Sequence, residues 1–183
     1  MAKYRVLQRL VEADRAGVWA FTPRTFSTLM GGSKPGYLRL MMKRLTDRGI
    51  LLRAAGGVYV NPNARSMPAD NRAALIRFLR PREISYVSLE WRLSEVGAIS
   101  QVATALTCMT TGSPGYFQTP WGAIDFTHTD RPIIVGTDVR PREDGVIEAS
   151  IERAARDLRR VGRNTGLIDE EALGEALADE RGA

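Results

Sequence analysis

Residues 35–60 read PGYLRLMMKRLTDRGILLRAAGGVYV, and the reading of this run decides the fold of the first third of the chain. Its opening part, Pro35 to Leu51, packs four cations among seven Leu, Met or Ile residues. Leu38, Met41, Met42, Leu45 and Gly49 recur as one stripe of a helix with 3.6 residues per turn. Arg39, Lys43 and Arg44 fall off that stripe, with Leu40 and Asp47 among them. The spacing predicts a helix that buries one face and shows a mainly cationic other. Directly after it, Ile50–Arg53, Ala54–Gly57 and Val58–Val60 read as strand, turn and strand. Gly56-Gly57 supplies the positive φ angles of a tight hairpin, and Pro62 ends the pairing.

Upstream, Val6, Leu7, Leu10 and Val11 space as a helical stripe over Lys3 to about Asp14. Thr22 before Pro23 reads as an N-cap followed by proline at the first helical position. Phe26, Leu29 and Met30 give that helix an apolar face, and Gly31-Gly32 stops it. Ser33 is placed to cap the next helix, which runs to about Arg48. Helix, helix, helix and hairpin in this order make the pattern of a winged helix-turn-helix over residues 1–62. This order favours a helix that enters a DNA groove. Arg39, Lys43 and Arg44 are then the recognition-face candidates. Lys34 and Tyr37 lie in the first turn, where backbone N–H groups favour a phosphate. Arg53 beside the wing and Arg24 at the start of the second helix are the further backbone-contact candidates.

Charge is unevenly spread along the 183 residues, whose net charge is +5. Residues 1–60 hold 11 Lys+Arg against 3 Asp+Glu, residues 61–140 hold 8 against 7, and residues 141–183 hold 7 against 11. A basic first third before a neutral and then acidic remainder suggests a polyanion-binding module joined to something else. No apolar run approaches the ~18 residues of a membrane span. The charged start, MAKYRVLQRLVEADRAG, resembles neither a signal peptide nor an anchor, so no membrane partner and a cytoplasmic location are expected. One cysteine, Cys108, excludes an internal disulfide and a multi-cysteine zinc site.

Residues 63–72, rich in Asn and Pro with little apolar content, read as a linker to a domain over 73–183. AALIRFLRP reads as a short helix, and Ser88 is placed to cap a second that carries Leu89, Leu93 and Val96 and closes at Gly97. VATALTCMTT, YFQT and AIDFTHT read as strands separated by GSPG and PWG turns, and RPIIVGTDV as a further strand. Ile151, Ala154, Ala155, Leu158 and Val161 space as a helix, and DEEALGEALADE opens another with acidic residues. The whole is α+β: the winged helix, then a small domain with an antiparallel sheet and C-terminal helices.

Catalytic signals are absent from this reading. His128 shares a strand parity with Ile124 and Phe126 and reads as a packed or hydrogen-bonded strand histidine. Cys108 lies mid-strand without a helix N-terminus to activate it, so a Cys108–His128 dyad is disfavoured. Trp91 and Trp121 read as core anchors. No metal spacing, GxGxxG or phosphate loop occurs, and the expectation is a non-enzyme without cofactor or metal.

YVSLEWRLSEVGAIS, ALTCMTTGSPGYFQTPWGAIDFTHT and IERAARDLRR, in this order from Tyr86 to about Arg160, resemble the antitoxin half of AbiEi-type regulators of bacterial abortive-infection toxin–antitoxin systems. Trp91 and Arg92 stand where that family has small residues, and Ser150-Ile151 where proline is common. The resemblance implies a winged helix that represses its own operon by binding inverted repeats in the promoter's double-stranded DNA. It also implies a second domain that counters a cognate nucleotidyltransferase-type toxin. The alternative is a winged-helix regulator whose second domain senses a small molecule.

Overall fold

The computed structural model describes residues 2–32 and 34–182, with side chains from Tyr4 onward. It divides into two units, Met1–Asn71 and Arg72–Ala183. In the first, α1 (Ala2–Arg15) leads through β1 (Ala20–Phe21) to α2 (Pro23–Leu29), α3 (Pro35–Asp47), β2 (Leu52–Ala55) and β3 (Val58–Val60). The Thr22 hydroxyl accepts from the Thr25 N–H at 3.2 Å while the Thr25 hydroxyl oxygen accepts from the Thr22 N–H at 2.8 Å. This reciprocal box with Pro23 fixes where α2 begins. Ser33, expected to cap α3, lies outside the described residues; Lys34 occupies the cap position without a side-chain bond. At the other end, Gly49 takes φ +67°, and the N–H groups of Gly49 and Ile50 bond the carbonyls of Thr46 and Leu45. Glycine suits that left-handed residue, and the paired bonds satisfy the last carbonyls of the helix.

The core of this unit joins Val6, Leu10, Ala13, Phe21, Phe26, Leu38, Met42, Leu45 and Leu51. Phe21 and Phe26 meet edge to face with centroids 5.7 Å apart. The expected α1 stripe is corrected here: Val6, Leu10 and Ala13 face inward, whereas Leu7 and Val11 are exposed. Tyr4, Leu7 and Val11 form a second stripe on the same helix, so periodicity alone does not choose between faces. Gly56 and Gly57, at φ +51° and +81°, turn β2 into β3 as expected, although β2 starts two residues later than the sequence suggested. β1 adds a third strand, pairing Ala20 with Val60 and Phe21 with Tyr59. The order is β1-β3-β2.

The stretch read as a linker is held to this unit. The Asp14 carboxylate accepts the N–H groups of Arg65 at 3.1 Å and Ser66 at 2.8 Å, and Ala64 is buried. The bond from the Ser66 N–H, then the Ser66 hydroxyl and the Arg65 N–H, holds the Asp14 carboxyl below the usual carboxylate range.

Two short helices, α4 (Asn71–Ala74), which begins at the last residue of the first unit, and α5 (Ile76–Leu79), open the second, where one was expected. Next come β4 (Ser85–Val87), α6 (Leu89–Glu95), β5 (Leu106–Thr110), β6 (Gly115–Thr119) and β7 (Gly122–His128). β8 (Val139–Pro141), β9 (Ile147–Ala149), α7 (Ile151–Val161) and α8 (Glu170–Gly182) complete it. The six-stranded sheet has the order β6-β7-β5-β4-β9-β8. It is mixed rather than antiparallel: β5–β7 and β4–β9 are parallel. The β6–β7 hairpin folds so that β7 lies against β5 and leaves β6 at the edge. RPIIVGTDV is not a strand over its length. The Asp138 N–H bonds the Ile134 carbonyl at 2.7 Å while its carboxylate takes the Ile134 N–H at 3.1 Å, which closes a turn before β8. Tyr86, Leu89, Leu93 and Met109 pack with Ala154, Ala155 and Leu158 of α7 in the core. No helix among the described residues is long and apolar enough to cross a membrane.

Ser88 does not cap α6. It is extended, wholly buried, and its hydroxyl donates to the Asp157 carboxylate at 3.1 Å. Leu89 follows at φ +59°, an uncommon conformation for a bulky residue, held here because its side chain is wholly buried. Trp91 and Trp121 are half-buried; the fully buried tryptophan is Trp19 in the first unit. The Arg72 guanidinium stacks 4.2 Å over the Trp91 ring, whose Nε1–H donates to Glu95.

Candidate nucleic-acid interface

Packing fixes how α3 presents its side chains. Leu38, Met42 and Leu45 are buried and Met41 is half-buried against the same core, while Gly49 of the expected stripe is exposed. At about 100° per residue, Gly36, Leu40, Lys43 and Asp47 then run down the line opposite the buried seam. Arg39 lies on one flank of that line, and Tyr37 and Arg44 on the other. All of these are exposed, as is Lys34 at the start of the helix. Arg24 in the first turn of α2 and Arg53 on β2 are exposed as well, on elements of their own.

The cations are not equivalent. Lys43 Nζ lies 2.9 Å from the Asp47 carboxylate, so its charge is partly cancelled within the helix. Lys34, Arg39, Arg44 and Arg53 have no carboxylate within 4.0 Å among the described residues. Leu40, read as off the buried stripe, lies on the outer line, and Gly36 is the member of that line the sequence reading passed over. Leu40 is 46% exposed at its middle. Gly36 has open space around the position of a side chain and no positive φ, so nothing inside the unit requires glycine there. Both were readable, because the same 3.6 period that places Leu38 inward places Gly36 and Leu40 outward.

No protein-family model matches the chain, and no curated protein matches it.

In the second unit His128 is exposed at the end of β7, with Nδ1 2.8 Å from the Gly112 carbonyl oxygen. Cys108 is wholly buried and pairs in register with Phe126, whereas His128 pairs with Thr110. The two are offset along neighbouring strands and form no hydrogen-bonded dyad. Among the described residues no group of three or more His, Cys, Asp or Glu side chains could hold a metal ion.

What the sequence reading missed in this unit is its buried ionic chemistry. Asp157 accepts from Tyr86 Oη, Ser88 Oγ, Arg153 Nε and Arg160. Burial first, and then the neighbouring Asp157 charge, push the Tyr86 phenol above its ordinary value. Asp138 takes Arg153 at 2.9 Å and Arg156 at 2.6 Å. Burial alone would raise the Asp138 carboxyl, but the Ile134 N–H and the two guanidinium charges together hold it below the carboxylate range. On the other side of α6, Arg163 bridges Glu90 at 3.0 Å and Asp125 at 2.9 Å, and Asn164 adds a bond to Glu90. Opposite charges spaced 38 to 73 residues apart carry no local sequence signal.

Proposed function

We propose that residues 1–62 form a winged helix-turn-helix that binds double-stranded DNA, with inverted repeats in the chain's own promoter as its target. Residues 73–183 are, in this reading, an antitoxin domain of the AbiEi kind that counters a nucleotidyltransferase-type toxin. The observation that carries the DNA reading is the outer half of α3, where Arg39 and Arg44 flank a line of Gly36 and Leu40 without any carboxylate partner. Cations on both flanks suit the phosphate rows at the edges of a major groove, and a lean, partly apolar centre suits base edges and thymine methyls. The hairpin that follows directly, with exposed Arg53, suits a wing against the backbone.

Support for the second half is the order of the three motifs from Tyr86 to Arg160, together with how they are used. The SLE segment makes the strained turn into α6, the TTGSPGYFQTPWG segment makes the β6–β7 hairpin, and the IERAARDLRR helix supplies Arg153 and Asp157 to the core. These motifs serve the architecture, so the toxin-facing residues are others on the surface of this unit. The protein acts by binding and carries out no reaction.

The test is a promoter-reporter strain that also expresses a nucleotidyltransferase-type toxin encoded beside this chain's gene, if the locus carries one. The wild-type chain is expected to repress the reporter and restore growth. The Arg39→Ala, Arg44→Ala double variant is expected to lose repression and keep protection. Repression by that variant at wild-type level overturns the DNA interface, and a wild-type chain that fails to restore growth overturns the antitoxin reading.

A further inference from the structure

One face of α7 and the loop 129–138 enclose a groove of about 370 Å³ lined by Arg131, Arg153, Arg156 and Arg160 with Asp138 and Asp157. Four guanidinium groups against two carboxylates leave the lining net positive. The surrounding unit runs the other way, since residues 72–183 hold 14 Lys+Arg against 17 Asp+Glu. The carboxylates are already used. Asp157 accepts four bonds, two of them from Tyr86 and Ser88, and Asp138 accepts from Ile134, Arg153 and Arg156. Arg153, only 4% exposed, is spent on this inner layer.

The outer layer is not spent. Arg156 makes a single side-chain bond, to Asp138, although 57% of its side chain is exposed. Arg160 uses one terminal nitrogen, shared between Thr129 and Asp157. Arg131 comes no closer to a carboxylate than 3.9 Å. The remaining N–H groups of these three side chains find no acceptor among the described residues. Crowded guanidinium groups repel one another, and the acceptors left to them are those of a ligand or of water. A multiply charged oxyanion with several acceptor oxygens is the complement, and guanidinium groups bind such oxygens in pairs.

We propose that this groove binds the di- or triphosphate group of a nucleotide, with Arg131, Arg156 and Arg160 as the contacting residues and Arg153 as the residue that positions Arg156 through Asp138 and Arg160 through Asp157. The site is independent of the DNA reading of α3.

The test uses the full chain carrying Arg39→Ala, Lys43→Ala and Arg44→Ala, so that α3 contributes nothing. Calorimetric titration with pyrophosphate, with ATP and with a short oligonucleotide, at matched ionic strength, gives three affinities. Pyrophosphate and ATP are expected to bind. Adding Arg131→Gln, Arg156→Gln and Arg160→Gln should weaken both by about a hundredfold or more, since each lost charge-assisted bond contributes roughly tenfold. Arg159→Gln, paired with Glu170 at 2.7 Å outside the groove lining, should leave both unchanged. Arg131→Glu alone keeps the inner layer intact and should weaken pyrophosphate binding about tenfold or more, which covers the case in which the triple variant melts early. Absence of pyrophosphate binding, retention of it in Arg131→Glu, or binding of the oligonucleotide alone overturns the proposal.

Discussion

Asp47→Asn separates the electrostatics of α3 from its packing. Asp47 lies at the C-terminal end of the outer line, 2.9 Å from Lys43, with side chains 57% and 70% exposed. So exposed a pair contributes ~0–1 kcal/mol to stability. A carboxylate in the last turn also opposes the helix dipole by ~0.3–1 kcal/mol, so the two effects nearly cancel on substitution. The expected change in unfolding free energy is within about 0.5 kcal/mol. DNA affinity should move the other way from an ordinary loss-of-contact variant. Two unit charges about 5 Å apart in water repel by ~0.8 kcal/mol, so removing the carboxylate next to a phosphate should tighten binding about fourfold. Freeing Lys43 for a further phosphate should steepen the log–log salt slope by about 0.9. Chemical denaturation and fluorescence anisotropy with promoter duplex measure both quantities. Weaker binding, or tighter binding with an unchanged salt slope, refutes the placement of Lys43 and Asp47 on the DNA-facing line.

Three further outcomes follow from the packing and the ionic layers. Gly36→Ala should raise stability by ~0.5–1 kcal/mol, because the helix loses an unneeded glycine, yet weaken DNA binding by placing a methyl on the contact line; melting and anisotropy on one sample check both. Asp157→Ala strips buried Arg153 of one of its two carboxylates and Tyr86 and Ser88 of their acceptor, and should cost ~3–5 kcal/mol by denaturant unfolding, against ~1–3 kcal/mol for Tyr86→Phe. Asp14 and Asp138 both have folded pKa values below the usual one, so their contribution is complete above about pH 4 and is lost as pH falls through the lower folded values. Asp138→Asn should therefore flatten the acid limb of the stability–pH curve below about pH 4, and an unchanged limb would contradict that assignment.

Elements defined by neighbouring residues were legible in the sequence. The Thr22-Pro23 cap, the Gly49 stop and the Gly56-Gly57 hairpin each depend on a few adjacent side chains, and each lies where the sequence put it. β1, β4 and β9 were missed because two or three residues carry no period; β1 and β4 pair with partners 21 to 61 residues away, and β9 joins distant β4 to nearby β8. The face of α1 was misread because Tyr4, Leu7 and Val11 compete with Val6, Leu10 and Ala13, and the packing of Phe21 and Phe26 decides between them. Ser88 had the composition of a cap, but Asp157, 69 residues on, claims its hydroxyl. Of the interface, the exposure of Lys34, Tyr37, Arg39, Lys43 and Arg44 was readable from the period of α3. Neutralisation of Lys43 by Asp47 was readable from their spacing of four, a separation at which opposite charges meet on one face.

The central claim, that α3 meets DNA through its cationic outer half, is tested most directly by the salt dependence of binding to the promoter duplex. Anisotropy titrations of the wild-type chain at a series of salt concentrations should give a log–log line of steep negative slope. Arg39→Ala or Arg44→Ala should lower that slope by about 0.9 if the side chain neutralises one phosphate, with the melting temperature unchanged. An affinity indifferent to salt, or slopes that these substitutions leave untouched, would contradict it.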